Sequence, residues 1–223
     1  MLSSAYRQAT SISETQAGPA RIADPDNALL WHMNLRRLEA EALRDAVLQA
    51  AGQLNPELGG PPLLTQARAD GLITVAPSEP ERNQNRRSIY LLARRTYPLT
   101  FLGLFDFPII DTNCTRRVPS VTPLQALTLM NDSFMVESSA RVAENALRLA
   151  GASAAESRIV ESAYLLTLSR RPDPGELMLA SDHLKKQREL FSRANVAPPE
   201  AERAALASFA HVLLSTNEFL YIN

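Results

Sequence analysis

A series of helix start signals in the second half of the chain constrains the fold more than any other feature. Each signal is an N-cap side chain that accepts a hydrogen bond, a proline at the first helical position, or both, and a glutamate or glutamine often follows three residues later. The starts are Thr122-Pro123, Asp132, Ser153 with Glu156, Asp173-Pro174 with Glu176, and Pro198-Pro199. The first three predict helices that end near Asn131, Ala150 and Leu168, and the fourth predicts one to about Arg193. In the last helix, Leu206, Phe209 and Leu213 share one face, so residues 122–223 are predicted to form a helical bundle.

The first half shows weaker signals. Residues 8–28 are polar with proline and glycine breakers, which predicts a loop, and a helix is predicted from Leu35 to Ala51 before Gly52. Two short apolar runs, 71–75 and 88–93, flank a charged loop and predict a β-hairpin, and Pro98 opens a short helix that ends near Phe105.

We therefore predict a mainly α fold, a helical bundle with a small two-stranded β-hairpin or short strands in the N-terminal half. Residues 1–223 are expected to form a single domain, with an entry segment over 1–34, a mixed arginine-rich part over 35–121 and the bundle over 122–223. The tail, 217–221, is apolar enough to dock on the core.

Charge and motifs exclude several classes of function. The net charge of −1 gives no electrostatic basis for nucleic-acid binding. No run of about 18 apolar residues predicts a transmembrane segment, and the start of the chain lacks the pattern of a signal peptide. The three histidines and one cysteine form no metal-ligand or haem-attachment spacing, so we predict no metal site and no cofactor in this chain.

Arginine pairs beside apolar runs predict charges held in fixed geometry, because guanidinium is always ionised and binds carboxylates through two hydrogen bonds. On the predicted helix over 35–51, Glu39 lies within the apolar stripe, whereas Arg37, Glu41 and Arg44 lie opposite. A buried carboxylate needs a partner. We therefore expect an arginine from 86–117 to pair with Glu39, the alternative being a rotated helix with Glu39 in water.

Carboxylates are also the candidate catalytic groups. Asp106 lies between Phe105 and Phe107 after a helix end, and Glu39, Asp111 or Asp132 could join it for general acid–base chemistry. The alternative is structural: Asp106 caps its turn or anchors Arg116 or Arg117. Asn131 is interpreted as a helix end.

Trp31, the only tryptophan, is either a sugar-stacking platform or an ordinary core or interface residue.

Ordered segments along most of the chain resemble a known family, the domain of unknown function 1553 of large secreted planctomycete proteins. The most specific are RRSIYL (86–91), FDFP (105–108) and RRVPSVTPLQALTLMND (116–132). Further matching segments are LSSAYRQ (2–8), DPDNALLWHMNLRRLEAEALRDAVL (24–48), GGPP (59–62), AYLLTLSRRPDPGEL (163–177) and HVLLSTNEFLYIN (211–223). The family pattern includes Arg36, Arg37, Glu41, Arg44, Asp45, Arg86, Arg87, Asp106, Arg117, Gln125 and Asn131.

The resemblance implies that the chain is the C-terminal part of a longer, exported protein, located in the periplasm or outside the cell, with an upstream partner domain. Relatives often carry cytochrome-c-like modules, so haem is expected only in an upstream domain. It implies no known activity or catalytic residue.

Three functions follow as hypotheses. The first is a structural or accessory module that packs on the upstream domain and helps to bind an extracellular polysaccharide. The second is a carbohydrate-active hydrolase that uses Asp106 and a second carboxylate. The third is a partner domain in haem-linked electron transfer.

Overall fold

The computed structural model describes residues 3–4, 7–10, 12–95, 97–108, 113–151 and 153–222. The helices are α1 (Glu14–Ala23), α2 (Ala40–Ala50), α3 (Glu81–Gln84), α4 (Thr100–Leu104), α5 (Pro123–Asn131), α6 (Ser133–Ala150), α7 (Glu156–Leu168), α8 (Pro174–Arg193), α9 (Pro198–Leu214) and α10 (Asn217–Leu220). The strands are β1 (Arg36–Arg37), β2 (Thr65–Ala67), β3 (Ile73–Val75) and β4 (Tyr221–Ile222), and a 3₁₀ turn spans Ser88–Tyr90. The prediction of a mainly α fold with short strands is confirmed.

The N-caps of the C-terminal half form largely as their local sequence predicts. Thr122 and Asp173 each close a capping box with the residue three positions later, Gln125 and Glu176, and Asp132 accepts a hydrogen bond from the Phe134 amide. The predicted Ser153 cap is wrong: α7 begins after Ala155, which has no side-chain acceptor, although the helix does end at Leu168.

Helices α6 and α9 connect the two apolar clusters of the molecule. In one cluster Val142 of α6 packs with Leu214 of α9 and with α2, α4 and α10; in the other, Ala146 and Phe209 pack with α7 and α8. Small residues on α6 and α9 let the two backbones approach closely. The predicted inward face of α9, with Leu206, Phe209 and Leu213, is buried as expected.

The helix predicted from Leu35 begins five residues later, because residues 36–37 pair with the tail. β1 and β4 are antiparallel, with Arg36 opposite Ile222 and Arg37 opposite Tyr221. The tail docks as predicted, with the side chains of Phe219 and Leu220 buried. The end of α2 follows the prediction: Gly52 adopts φ +65°, a left-handed conformation that glycine tolerates.

Two predictions for the first half are wrong. The run 71–75 does contribute a strand, but β3 pairs with β2 rather than with 88–93, where the 3₁₀ turn forms. The turn between β2 and β3 is short and includes Gly71 at φ +85°, which suits a local hairpin. Residues within the predicted loop 8–28 form α1, which contains Pro19.

Candidate functional site

Asp106 connects the end of α4 to the loop that precedes α5. Its backbone is left-handed (φ +65°), which aspartate tolerates better than most residues. Oδ1 accepts a hydrogen bond from Ser120 Oγ at 2.7 Å. Oδ2 accepts from the Ser120 amide at 2.7 Å and from Arg37 Nη2 at 2.5 Å. Both carboxylate oxygens are therefore occupied by protein donors.

Arg37 reaches Asp106 from β1, and the pairing of β1 with the tail determines its direction. Its side chain is only 5% exposed. Nη2 also donates to the Phe105 carbonyl at 3.3 Å, and Nη1 donates to Gln125 Oε1 at 3.1 Å and to the Ser120 carbonyl. The guanidinium group thus joins β1, the turn after α4 and the start of α5.

Gln125 completes this network from the first turn of α5. Besides closing the capping box, its Nε2 donates to the Leu104 carbonyl at 2.9 Å and to Ser120 Oγ at 3.2 Å. A longer contact of 3.5 Å reaches Asp106 Oδ2. The helix cap and the ion pair therefore share one side chain, which couples the position of α5 to that of α4.

Opposing effects act on the pKa of Asp106. Burial acts to raise it, but the hydrogen bonds from the Ser120 amide and hydroxyl, together with the Arg37 guanidinium, outweigh burial and hold the pKa below its usual value. Asp106 is accordingly a carboxylate at neutral pH. It has no proton to donate, so the role of general acid does not suit it.

A cleft of about 480 Å³ lies beside this network. It is lined by Arg36, Arg37, Leu38, Glu39, Ala40, Phe105, Asp106, Cys114, Thr115, Arg116, Arg117, Val118 and Pro119. We call it the arginine cleft. The residues come from β1, the start of α2, the turn after α4 and the loop 113–119, so four separate segments define it.

Glu39 lies at the edge of the arginine cleft between two arginines. Its Oε1 accepts from Arg36 Nη2 at 3.0 Å, and its Oε2 accepts from Arg117 Nη1 at 2.9 Å. The expectation that an arginine from 86–117 pairs with Glu39 agrees with this contact. The placement of Glu39 within a buried apolar stripe was wrong, because Glu39 is the N-cap residue of α2 and its side chain is 43% exposed.

Arg117 also binds Glu41, through both terminal nitrogens, at 2.8 and 2.9 Å. These hydrogen bonds, with the nearby charge of Glu39, raise the pKa of Arg117. Because Arg117 belongs to the loop 113–119 and both carboxylates to the start of α2, the ion pairs attach the loop to the helix.

The structure brings together six predicted residues around the arginine cleft and places others elsewhere. The six are Arg36, Arg37, Glu39, Asp106, Arg116 and Arg117, with Glu41 and Gln125 adjoining them through hydrogen bonds. The expectation that Asp106 anchors Arg116 or Arg117 was wrong, because Arg37 occupies it. Asp132 caps α6 instead, and Asp111 lies outside the described residues.

Arg44 is buried, contrary to the expectation that it lies opposite the apolar stripe with Arg37. Its guanidinium donates to the carbonyls of Gln84 and Arg86 at 2.9 and 3.0 Å and to Ser88 Oγ at 3.3 Å. Burial lowers its pKa to about 10, which leaves it charged at neutral pH. Arg44 thus stabilises mainly the backbone of the loop 84–88, and its acidic partner, Asp45, is more distant at 3.8 Å.

Arg86 and Arg87 also hold loops. Arg86 donates to the carbonyls of Pro61 and Gly59 and stacks over the Tyr90 ring at 4.0 Å. Arg87 lies 5.8 Å from the same ring. Neither lines the arginine cleft.

Trp31 and Asn131 make local contacts. Trp31 Nε1 donates to the Asp24 carbonyl at 2.9 Å, and its ring contacts His32 edge-on. Asn131 Nδ2 donates to the Leu127 carbonyl within α5. Trp31 is not among the residues that line the arginine cleft, so it does not stack beside Asp106 there.

Sequence reasoning missed Ser120, which supplies two of the three shortest hydrogen bonds to Asp106. It lies in an irregular segment before Thr122, and no local pattern distinguishes it from any other loop serine. A second missed cluster is remote from the cleft: Arg170 binds both Glu176 and Glu218, at 2.6 and 2.5 Å.

Within the described part of the chain, no three histidine, cysteine, aspartate or glutamate side chains are grouped closely enough to hold a metal ion. His211 contacts the Leu129 carbonyl and His183 contacts Ser208 Oγ, so both have structural partners. Burial lowers the pKa of His183.

Comparisons with known proteins give one match. No curated protein matched the chain, and no solved structure matched it. None of the described helices is both long enough and apolar enough to span a bilayer. The model of a family described as PSD1, a protein of unknown function (DUF1553), matches residues 1–184. This match covers well over half of the 223 residues, and the chain belongs to the DUF1553 family.

Proposed function

We propose that the chain is a structural or accessory module of a larger exported, planctomycete-type protein and that it packs against an upstream domain of the same polypeptide. The observation that carries this proposal is the saturation of Asp106 by Ser120 and Arg37. A carboxylate whose two oxygens are both held by protein donors contributes rigidity and is not free to move toward a substrate. On this proposal, any haem belongs to another domain of the intact protein.

The outer face of α5 supports a docking role. Leu124, Leu127 and Met130 are each more than half exposed, and Val121, just before the helix, is 85% exposed. Exposed apolar residues that recur every three positions form a continuous stripe on a helix. Contiguous apolar surface of this kind is typical of an interface.

A carbohydrate-active hydrolase is the competing function, and one observation favours it: Asp106 and Glu39 line the same cleft. A glycosidase needs one of its two carboxyl groups protonated as the general acid. The pKa of Asp106 is held below its usual value, and Glu39 is bound by Arg36 and Arg117. Asp106 is therefore not suited to be the general acid, and Glu39 is engaged in two ion pairs, so we favour the accessory role.

The test compares the wild-type chain with Asp106→Asn in a glycan-cleavage screen, with a thermal melt of each protein. We expect no cleavage by either protein and a lower melting temperature for the variant. Asp182→Asn is the matched control, since Asp182 forms an exposed pair with Lys186. Cleavage by the wild type that Asp106→Asn abolishes, with an unchanged melting temperature, would replace the accessory role with the hydrolase.

A further inference from the structure

Among the described residues, the arginine cleft has more arginines than carboxylates paired with them. Four of its lining residues are arginines, whereas the chain as a whole has a net charge of −1. The carboxylates that contact these arginines are Glu39, Glu41 and Asp106. In the part of the chain that the structure describes, the four arginines exceed these three carboxylates by one charge, which is a local feature and not a property of the whole surface.

Two of the arginines have donors to spare. The side chain of Arg36 is 63% exposed and uses one terminal nitrogen to bind Glu39. Arg116 is exposed, and its guanidinium makes no hydrogen bond or ion pair with another described residue. A guanidinium group carries five N–H donors in a planar fork that matches the oxygens of carboxylate, sulfate or phosphate. Arg36 and Arg116 therefore offer most of their donors to the cleft and to solvent.

Arg37 has one unpaired donor, but that donor is buried and is not exposed to a ligand in the cleft. Its Nε has no hydrogen-bond partner among the described residues, although the side chain is almost completely buried. Leaving such a donor unpaired costs free energy, so buried N–H groups usually have a partner. Arg86 Nε and Arg87 Nε are also buried without a partner among the described residues, so this feature is not specific to the arginine cleft.

The remaining walls are apolar. Leu38, Phe105, Val118 and Pro119 line the same space, and its volume of about 480 Å³ is within the range of small-molecule sites. A bare inorganic ion would leave most of this volume and all of the apolar wall without contact. The space instead suits an anionic group attached to a body about the size of one sugar ring.

We propose that the arginine cleft binds an oxyanion, a carboxylate or sulfate, carried on a ring-sized body such as an acidic sugar. Arg36 and Arg116 contact the anionic group, and the apolar wall contacts the ring. The proposal rests on the proposed function in taking the cleft as a place of binding and not of reaction. It gives the accessory module a class of ligand, the acidic units of a polysaccharide.

The experiment is a calorimetric titration of the full chain at constant ionic strength with three probes: galacturonate, galactose and sulfate. Galacturonate and galactose differ in the carboxylate, and sulfate supplies the anion without the ring. We expect saturable binding of galacturonate with a Kd on the order of 1 mM, weaker binding of sulfate and no binding of galactose. Equal affinity for galactose, or no saturable binding of any anion, would overturn the proposal.

Substitutions of the two exposed arginines test whether galacturonate binds in the arginine cleft. The double variant Arg36→Gln/Arg116→Gln should weaken galacturonate binding at least about tenfold, because it removes both exposed cations. Its melting temperature should stay close to wild type, since both side chains are exposed. Arg141→Gln is the control, because Arg141 is an exposed arginine on α6 paired with Glu144. Binding that survives the double variant, or that is lost equally in the control, contradicts the assignment.

The two proposals can fail separately. Cleavage of an oligogalacturonide that depends on Asp106 would refute the accessory role while leaving the anion site in place. Absence of anion binding, with no cleavage and a destabilised Asp106→Asn variant, would refute the anion site and leave the accessory role.

Discussion

The Asp106→Asn substitution tests the structural role of the Arg37–Asp106 pair quantitatively. Asparagine retains the shape of the side chain and one oxygen acceptor, but it removes the charge that Arg37 neutralises. The loss therefore falls on the charge-assisted hydrogen bonds from Arg37 and Ser120 and hardly on packing.

The magnitude follows from burial. Removing one partner of a fully buried ion pair costs about 3–5 kcal/mol, because the other charge is left uncompensated. Arg37 is buried, but the side chain of Asp106 is 26% exposed, so solvent screens part of the interaction. We expect a loss of about 2–3 kcal/mol in the free energy of unfolding at pH 7. For a chain of this size, that lowers the melting temperature by about 4–12 °C.

The loss in the free energy of unfolding caused by Asp106→Asn should depend on pH. The pKa of Asp106 is lower in the folded protein than its usual value of 3.8. Its stabilising contribution is therefore fully present above that value and disappears as the pH falls through the folded pKa. Wild type and Asp106→Asn should differ most near neutral pH and converge in acid, below about pH 3.8.

The assay is urea unfolding followed by the fluorescence of Trp31, the only tryptophan, at neutral and acidic pH. Asp182→Asn, at an exposed pair with Lys186, should cost no more than about 0.5 kcal/mol. A cost for Asp106→Asn as small as that of the control, or one that does not change with pH, would refute the reasoning.

Two further predictions concern other parts of the molecule. Arg44→Met should lower the free energy of unfolding by about 2–4 kcal/mol in the same urea assay, because the carbonyls of Gln84 and Arg86 lose their donor in a buried setting. An unchanged free energy of unfolding would mean that the desolvation of the buried charge cancels the stabilisation from its hydrogen bonds. If the proposed function holds, Leu127→Glu should abolish co-elution of the chain with a separately expressed upstream domain, whereas Met178→Glu, at a more exposed site on α8, should not. Equal effects of both variants would remove α5 as the docking face.

Local signals account for the parts of the fold that could be predicted. The capping boxes of α5 and α8 each depend on residues three positions apart, so the sequence contains the whole interaction. The same holds for the glycine that ends α2. The prediction of a loop over residues 8–28 was wrong because it also relied on a local signal. Pro19 normally disfavours a helix interior, yet α1 accommodates it.

The site depends on contacts that no local pattern contains. Arg37 and Asp106 are 69 positions apart. Arg37 reaches Asp106 only because β1 pairs with the tail, which replaces the predicted first turn of α2. Arginine and acid residues are abundant in this chain, so the sequence indicates that ion pairs form but does not determine which partners meet. Arg44 and Arg86 have backbone carbonyls as their main partners, and the sequence gives no sign of such contacts because every residue carries a carbonyl.

A double-mutant cycle between Arg37 and Asp106 tests the structural role of their contact most directly. The cycle compares the free energies of unfolding of Arg37→Met, Asp106→Asn and the double variant with that of the wild type. We predict a coupling energy of at least about 1.5 kcal/mol, with the double variant less destabilised than the two single losses together. Losses that add to within about 0.5 kcal/mol would show that the two side chains stabilise the fold independently, and would contradict the structural role assigned to their contact.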